Sequence, residues 1–350
     1  MIAKRIWYHC FKWFLKISLH FYTQRIKIRG KENIPKKGAV LFAANHPNAL
    51  LDPLYIAAFN KREIHFLVRA DVFKKPLIKK MFASLNMMPI YRMRDGRSSL
   101  ANNDEIFNKC YQILKKEKSL LIFPQGGHSR ERTIPPLSKG FTRIIFGSLE
   151  ENPDLEIQIV PVGITYQNSS VFPAKVAVNY GTPIATNQII QTTPKNEAIA
   201  TLKQKVSDQL KELSVHIPKD EHYETTLNEL NEANIDFTKV LEANEKIHQL
   251  ERLTKEPKNW TLIDLLKYPL FLNSLVPLLI WRKVSKKIKD IEFVDTFRFG
   301  VSVILVPICL GLQSWIFFLI SGNENWALLY LAGSTLSILI YTKLASTHTE

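Results

Sequence analysis

Apolar positions recur along this chain in three rhythms, and each predicts a different kind of structure. Near the N-terminus, Ile6, Trp7, Cys10, Trp13, Phe14, Ile17 and Phe21 fall on one broad helical face, and Arg5, His9, Lys12 and Lys16 share the other. That spacing predicts an amphipathic helix over residues 1–24. Aromatic groups opposed to cations are the pattern of a helix lying in a membrane interface; a helix packed on its own domain is the competing reading. The apolar run is too interrupted for a secretory signal.

The second rhythm is a series of short apolar runs. Residues 25–29 alternate like an edge strand, 30–37 form a polar turn with Pro35, and 39–44 read as a buried strand. Further runs at 64–68, 87–91, 120–123, 157–165 and 175–180 are separated by helical stretches such as 103–116. Strands alternating with helices predict an α/β domain over about residues 25–190.

From Thr193 and Pro194, read as an N-cap followed by the first helical residue, the chain turns rich in Lys, Glu, Asn and Leu with helical periodicity. A helical appendage with solvated charged faces is expected over 191–258. Residues 259–295 are apolar at first, broken by Asp264, Lys267, Pro269 and Pro277, then strongly basic, which suggests an interfacial or re-entrant piece.

The third rhythm is continuous. Residues 299–320 carry no charge, and a second apolar stretch around 326–341 has none until Lys343. At about 1.5 Å per residue both can span a hydrocarbon core. The short polar link 321–325 predicts a transmembrane helical hairpin over 296–344. Cations precede the first span and follow the second, whereas the link has none. Both ends, and the α/β domain with them, are therefore expected on the cytoplasmic face.

Composition narrows the partners. Among 350 residues the formal net charge is +15, which points to a polyanion: nucleic acid, anionic lipid or a phosphorylated small molecule. The cations cluster beside the membrane segments and no recognition motif appears, so nucleic acid is not expected. Cys10, Cys110 and Cys309 are too scattered for a disulfide framework or a zinc site, and no metal is expected.

Candidate chemistry concentrates in Ala44-Asn-His-Pro-Asn-Ala-Leu-Leu-Asp52, where a buried strand ends. A histidine there, with a carboxylate one to two helical turns away, can form a pair in which the imidazole takes a proton from a hydroxyl and the aspartate fixes its tautomer. Structural roles for the same residues, with Asn45 and Asp52 as capping groups, are the commoner reading of such a stretch on these grounds.

At this point the chain resembles the glycerolipid acyltransferases, the family of the 1-acylglycerol-3-phosphate and glycerol-3-phosphate acyltransferases. Asn45, His46 and Asp52 resemble its first motif, Met88-Pro-Ile-Tyr-Arg92 its second, Phe123-Pro-Gln-Gly-Gly-His-Ser129-Arg130 its third and Val160-Pro161-Val162 its fourth, in the family's order. Pro136-Leu-Ser-Lys139-Gly140 also stands where the family commonly has a Lys-Gly pair. The similarity covers about residues 25–190.

The resemblance implies a mixed-sheet α/β acyltransferase domain with His46 and Asp52 catalytic. It further implies Arg92, Gln125, Gly126, Ser129 and Arg130 at the acceptor, an acyl-CoA or acyl-carrier-protein donor, no other cofactor, and a lysophosphatidate or glycerol-3-phosphate acceptor. Arginines suit the acceptor's phosphate through charge-assisted hydrogen bonds. Product and anchors place the protein in a membrane, with lipid as a partner.

Three departures stand out. Five residues separate His46 from Asp52 where the family has four, so the carboxylate has to arrive through a different turn. Gln125 replaces a glutamate, keeping the carbonyl and losing the charge. Asn86 stands where the second motif often starts with glycine, and His128 replaces a common arginine. Acylation of another lysolipid, or a non-catalytic lipid-binding relative, are the readings these departures would favour.

Overall fold

The short apolar runs become strands of one sheet in the computed structural model, which describes residues 2–91, 102–250, 254, 263, 265 and 267–345. The strands are β1 Thr23–Arg29, β2 Ala39–Ala44, β3 Ile64–Arg69, β4 Met87–Ile90, β5 Ser119–Ile122, β6 Ile157–Tyr166, β7 Ala174–Tyr180 and the two-residue β8 Ile184–Ala185, too short to leave a periodic signal. The helices are α1 Ile2–Tyr22, α2 Leu51–Phe59, α3 Pro76–Ser84, α4 Asn102–Lys115, α5 Gly140–Glu151, α6 Thr186–Thr192, α7 Lys195–Leu213, α8 Tyr223–Glu232, α9 Val240–Ile247, α10 Lys267–Asn273, α11 Leu275–Ser285, α12 Val294–Ser321 and α13 Glu324–Leu344.

The sheet runs in the order β1-β7-β6-β2-β5-β3-β4, with β8 beside β6. Pairing is parallel except where β6 meets β7 and β8. It is a mixed sheet in an α/β domain, as expected. Because β2, β5 and β6 are parallel neighbours, their C-terminal ends open on one edge of the sheet, where loops from all three converge.

Strand alternation builds the two faces. Val40, Phe42 and Ala44 of β2 join Val160, Val162 and Ile164 of β6 under α1 and α2, whereas Leu41, Ala43 and Ile159 join the opposite core under α4, α5 and α7. In β6 the alternation places Pro161 and Gly163 on the α7 side. A Cβ on Gly163 would stand 2.2 Å from the Leu213 carbonyl oxygen, so glycine is what lets α7 close on the strand.

Helix α7 corrects the picture of a solvated appendage. Its Ala198, Leu202, Val206 and Leu210 are fully buried against the sheet, and only the remaining sides carry the charges. Pro194 is the N-cap and the helix starts at Lys195, one residue later than the capping pattern suggested. Helices α8 and α9 close a smaller third core around Phe237 and Ala177 of β7.

His65 of β3 carries a stability consequence. Burial, helped by Lys118, pushes its imidazole from 6.5 down to about 4, so the ring stays neutral with Nδ1 3.2 Å from the Ser119 carbonyl. Between these values the unfolded chain binds a proton that the folded chain does not. Stability is therefore full above about pH 6.5 and falls as pH drops, by about 3 kcal/mol near pH 4. Urea midpoints at pH 7 and pH 4.5 are expected to differ less for His65→Gln than for the parent; equal differences would refute the assignment.

Helix α1 is amphipathic in a more complex way than two faces. Tyr8, Leu15, Leu19 and Tyr22 are buried on the domain, and Ile2, Ile6, Trp7, Trp13, Phe14 and Ile17 remain exposed. Arg5, His9 and Lys16 are exposed, Lys16 over the Trp13 ring, whereas Lys12 is drawn in to the Asn60 carbonyl.

Helices α12 and α13 are both long and apolar enough to cross a membrane. The link tightens to Gly322, left-handed at φ 62°, and Asn323, which caps α13 by accepting from the Asn325 N–H. Within 259–295, Pro269 and Pro277 each occupy the third position of a short helix, α10 and α11, where no intrahelical N–H is needed; they start helices and do not break a segment. The far ends of the hairpin return to the domain. Lys343 donates to the His20 and Thr23 carbonyls at 2.7 Å, closing the C-terminal end of α1.

Candidate functional site

The site begins where β2 ends. Asn45 extends the sheet with its side chain, accepting from the Ile164 N–H at 2.6 Å and donating to the Ile164 carbonyl at 2.9 Å. It is a surrogate peptide group and caps no helix. This fixes the direction in which His46 leaves the strand.

His46 and Asp52 meet: Nδ1 lies 2.8 Å from Oδ2. The extra intervening residue is absorbed in the turn, where Ala49 adopts φ 26°, a left-handed value rare for a residue with a Cβ. Asp52 lies in the first turn of α2, whose N-cap is Leu50, so it is not a capping residue. Its position at a helix N-terminus favours negative charge. Besides the imidazole, it accepts from the Asn48 main-chain N–H at 2.7 Å and the Tyr166 hydroxyl at 2.7 Å. Burial, with Asp52 beside it, holds the Tyr166 hydroxyl well above its ordinary range, so it remains a donor.

A carboxylate only accepts, so the shared proton belongs to His46 Nδ1 and the lone pair is left on Nε2. Asp52 is fully buried while His46 keeps 16% of its side-chain surface accessible.

The loop after β5 holds the imidazole from the other side. Phe123 stacks on the His46 ring at 3.8 Å. Gln125 Oε1 accepts from the His46 N–H at 2.9 Å, and the Ser129 N–H donates to the His46 carbonyl at 3.0 Å. The bond that Gln125 makes needs a carbonyl oxygen and no charge, so the change from glutamate leaves this contact possible. Gly126, at φ 76°, turns the loop between these two anchors.

A cleft opens beside His46, lined by Gln125, Ser129, Arg130, Arg132 and Ser169 among others. Arg130 donates from Nε to Ser169 Oγ at 3.1 Å, half-buried at the cleft. Arg132 is a clamp: it donates to the Tyr166 and Gln167 carbonyls at 3.0 and 2.9 Å and lies on the Phe237 ring. The Ser129 hydroxyl accepts from the Glu131 N–H, so its visible role is in the turn. Arg92 lies outside the described residues.

His128 stands edge-on to His46, with ring centroids 5.7 Å apart, and Phe293 covers its other side. Burial, with His46 next, lowers its pKa below 6.5, so a neutral ring occupies the place of a common arginine.

The sequence patterns singled out His46, Asp52, Gln125, Gly126, Ser129 and Arg130, and the fold gathers all six at one sheet edge. They did not single out Asn48 or Tyr166. Tyr166 is the last residue of β6, one position beyond the predicted run 157–165 that holds the fourth motif, a place that could have pointed to it.

Residues 25–165 match the acyltransferase family model. Among curated proteins, glycerol-3-phosphate O-acyltransferase 1 of Saccharomyces cerevisiae is 20% identical over 52% of this chain and 35% of its own length. A chloroplastic 1-acyl-sn-glycerol-3-phosphate acyltransferase of Arabidopsis thaliana is 28% identical over 37% and 34%. A crystal structure of the 1-acyl-sn-glycerophosphate acyltransferase of Thermotoga maritima aligns with a TM-score of 0.46 at 19% identity, covering 62% of this chain and 83% of that one. The chain spans less than half the length of the first curated relatives it matches.

Proposed function

We propose that residues 25–165, a domain of the acyltransferase family, serve a membrane-bound enzyme that moves a fatty acyl group from a thioester to a glycerophosphate hydroxyl. The donor is acyl-CoA or acyl-carrier protein and the acceptor is glycerol-3-phosphate or lysophosphatidate. The observation that carries this reading is the 2.8 Å contact between His46 Nδ1 and a buried, fully hydrogen-bonded Asp52, beside a cleft that also holds Arg130.

In this reading His46 Nε2 takes the proton of the acceptor hydroxyl as its oxygen attacks the thioester carbonyl. The C–O bond forms, the C–S bond breaks, and the leaving thiolate recovers the proton from the imidazolium. Asp52 keeps the proton on Nδ1 and stabilises the imidazolium between these steps. No enzyme nucleophile is required. Arg130 and Arg92 are the cations assigned to the acceptor phosphate, with Gln125, Gly126 and Ser129 shaping the cleft wall.

The exposed aromatic side of α1 and the outward apolar surfaces of α12 and α13 support a bilayer setting. Both ends of the hairpin meet the domain, and the cations flank those ends, which supports a cytoplasmic-face orientation.

Purified protein in detergent is expected to release free thiol from acyl-CoA, or to consume acyl-carrier protein, only when acceptor is added. Lipid mass spectrometry with glycerol-3-phosphate and lysophosphatidate offered together identifies the acceptor. Preference for a different lysolipid would redirect the acceptor assignment. Inactivity with every donor and acceptor would overturn the enzymatic reading in favour of a lipid-binding protein.

A further inference from the structure

The turn that carries the extra residue between His46 and Asp52 is held from outside the domain. Asn48 donates to two different carboxylates. Its main-chain N–H goes to Asp52 Oδ2 at 2.7 Å, and its side-chain Nδ2 goes to Asp295 Oδ2 at 3.0 Å. Asp295 is the second residue of α12 and almost fully buried. The next residue repeats the pattern: Thr296 Oγ1 accepts from the Leu50 N–H at 3.2 Å.

Ala49 lies between these two pinned positions, and its φ of 26° is the unfavourable conformation that lets a five-residue spacing close. Such backbone persists where its surroundings over-determine it, and here the surroundings are the first turn of the apolar hairpin. Asp295 is itself fixed by two further side chains. Tyr22 donates to its Oδ1, and Arg298, held by its own bond to the Ser170 carbonyl, lies 3.6 Å away. A surface anchor for α12 would not need to aim a buried carboxylate at this turn.

We infer that Asp295 is a positioning residue for the His46–Asp52 pair: acting through Asn48, and with Thr296 on Leu50, it holds the inserted turn in the shape that delivers Asp52 to the imidazole. The inference rests on the proposed acyl transfer for its effect on rate, and on geometry alone for its effect on the pair. The hairpin then has two roles, membrane attachment and completion of the site.

The test uses the full chain in detergent with Asp295→Ala, Asn48→Ala, their double variant, and Thr296→Val. Asp295→Ala and Asn48→Ala are each expected to lower kcat by about 10- to 100-fold with the donor KM changed less than about threefold, as a misplaced reacting group does. The double variant is expected to be no slower than the slower single, because both changes cut one connection. Nitrogen-15 NMR of labelled histidines, with the His46 Nδ1–H signal assigned by its absence in His46→Ala, is expected to show that proton shifted or lost in Asp295→Ala. A folded Asp295→Ala with parental kcat and an unmoved Nδ1–H signal would overturn the inference, as would losses that multiply in the double variant. Should Asp295→Ala fail to fold, Thr296→Val keeps the side-chain volume and is read by the same two measurements. If the parent chain transfers no acyl group, the functional reading falls, and the Nδ1–H signal still decides the positioning role.

Discussion

His46→Ala is expected to lower kcat by about 10³-fold while leaving the acceptor KM within a few-fold of the parent. A positioned general base contributes about 10²- to 10⁴-fold, and His46 keeps part of its ring accessible while Asp52 engages its Nδ1. The loss should be chemical, not structural. Gln125 and Ser129 bind the His46 main chain, so alanine keeps both bonds and the loop after β5 keeps its seat. Stopped assays of thiol release, with unfolding temperature measured alongside, check this. Residual turnover within tenfold of the parent would assign proton transfer to another group, and His128, the nearest imidazole, would be examined next.

Asp52→Asn is expected to slow kcat by about 10²- to 10³-fold with little change in stability, and Asp52→Ala to be both slow and unstable. The asparagine is nearly isosteric. Its carbonyl can take the position of Oδ2 toward His46 and Asn48, and its amide can donate to Tyr166, whose hydroxyl rotates to accept. What disappears is the charge that stabilises an imidazolium, which costs rate and not folding. Alanine instead leaves the buried Asn48 N–H and Tyr166 O–H without an acceptor, at about 1–3 kcal/mol for each. Parental kcat in a folded Asp52→Asn would remove the carboxylate from the mechanism.

Much of this was legible in the sequence because it depends on local pattern. The continuous apolar run 39–44 matches β2 to the residue, and the motif at its end marked His46 and Asp52. The spacing of five residues looked like a displacement, yet the pair forms. Spacing counts residues, whereas the reach of a turn depends on backbone angles such as that of Ala49, which no residue name announces. Tyr166, Asn48 and Asp295 were hidden for a related reason. Each acts across 100 residues or more, or through a main-chain atom, so neither periodicity nor motif order registers it. Helix α7 was read by its charges because three of its sides are charged; the buried stripe of Ala198, Leu202, Val206 and Leu210 is regular but narrow.

The closure of both hairpin ends on the N-terminal junction, through Lys343 at His20 and Thr23 and through Asp295 at Tyr22, bears on how the molecule can be handled. A fragment trimmed to residues 25–165 would lose the first helix together with the hairpin and cut loose the turn bearing the imidazole. Solubility gained by such trimming would come with a disordered reaction centre, so biochemical work on this chain calls for micelles or nanodiscs, not a clipped soluble core.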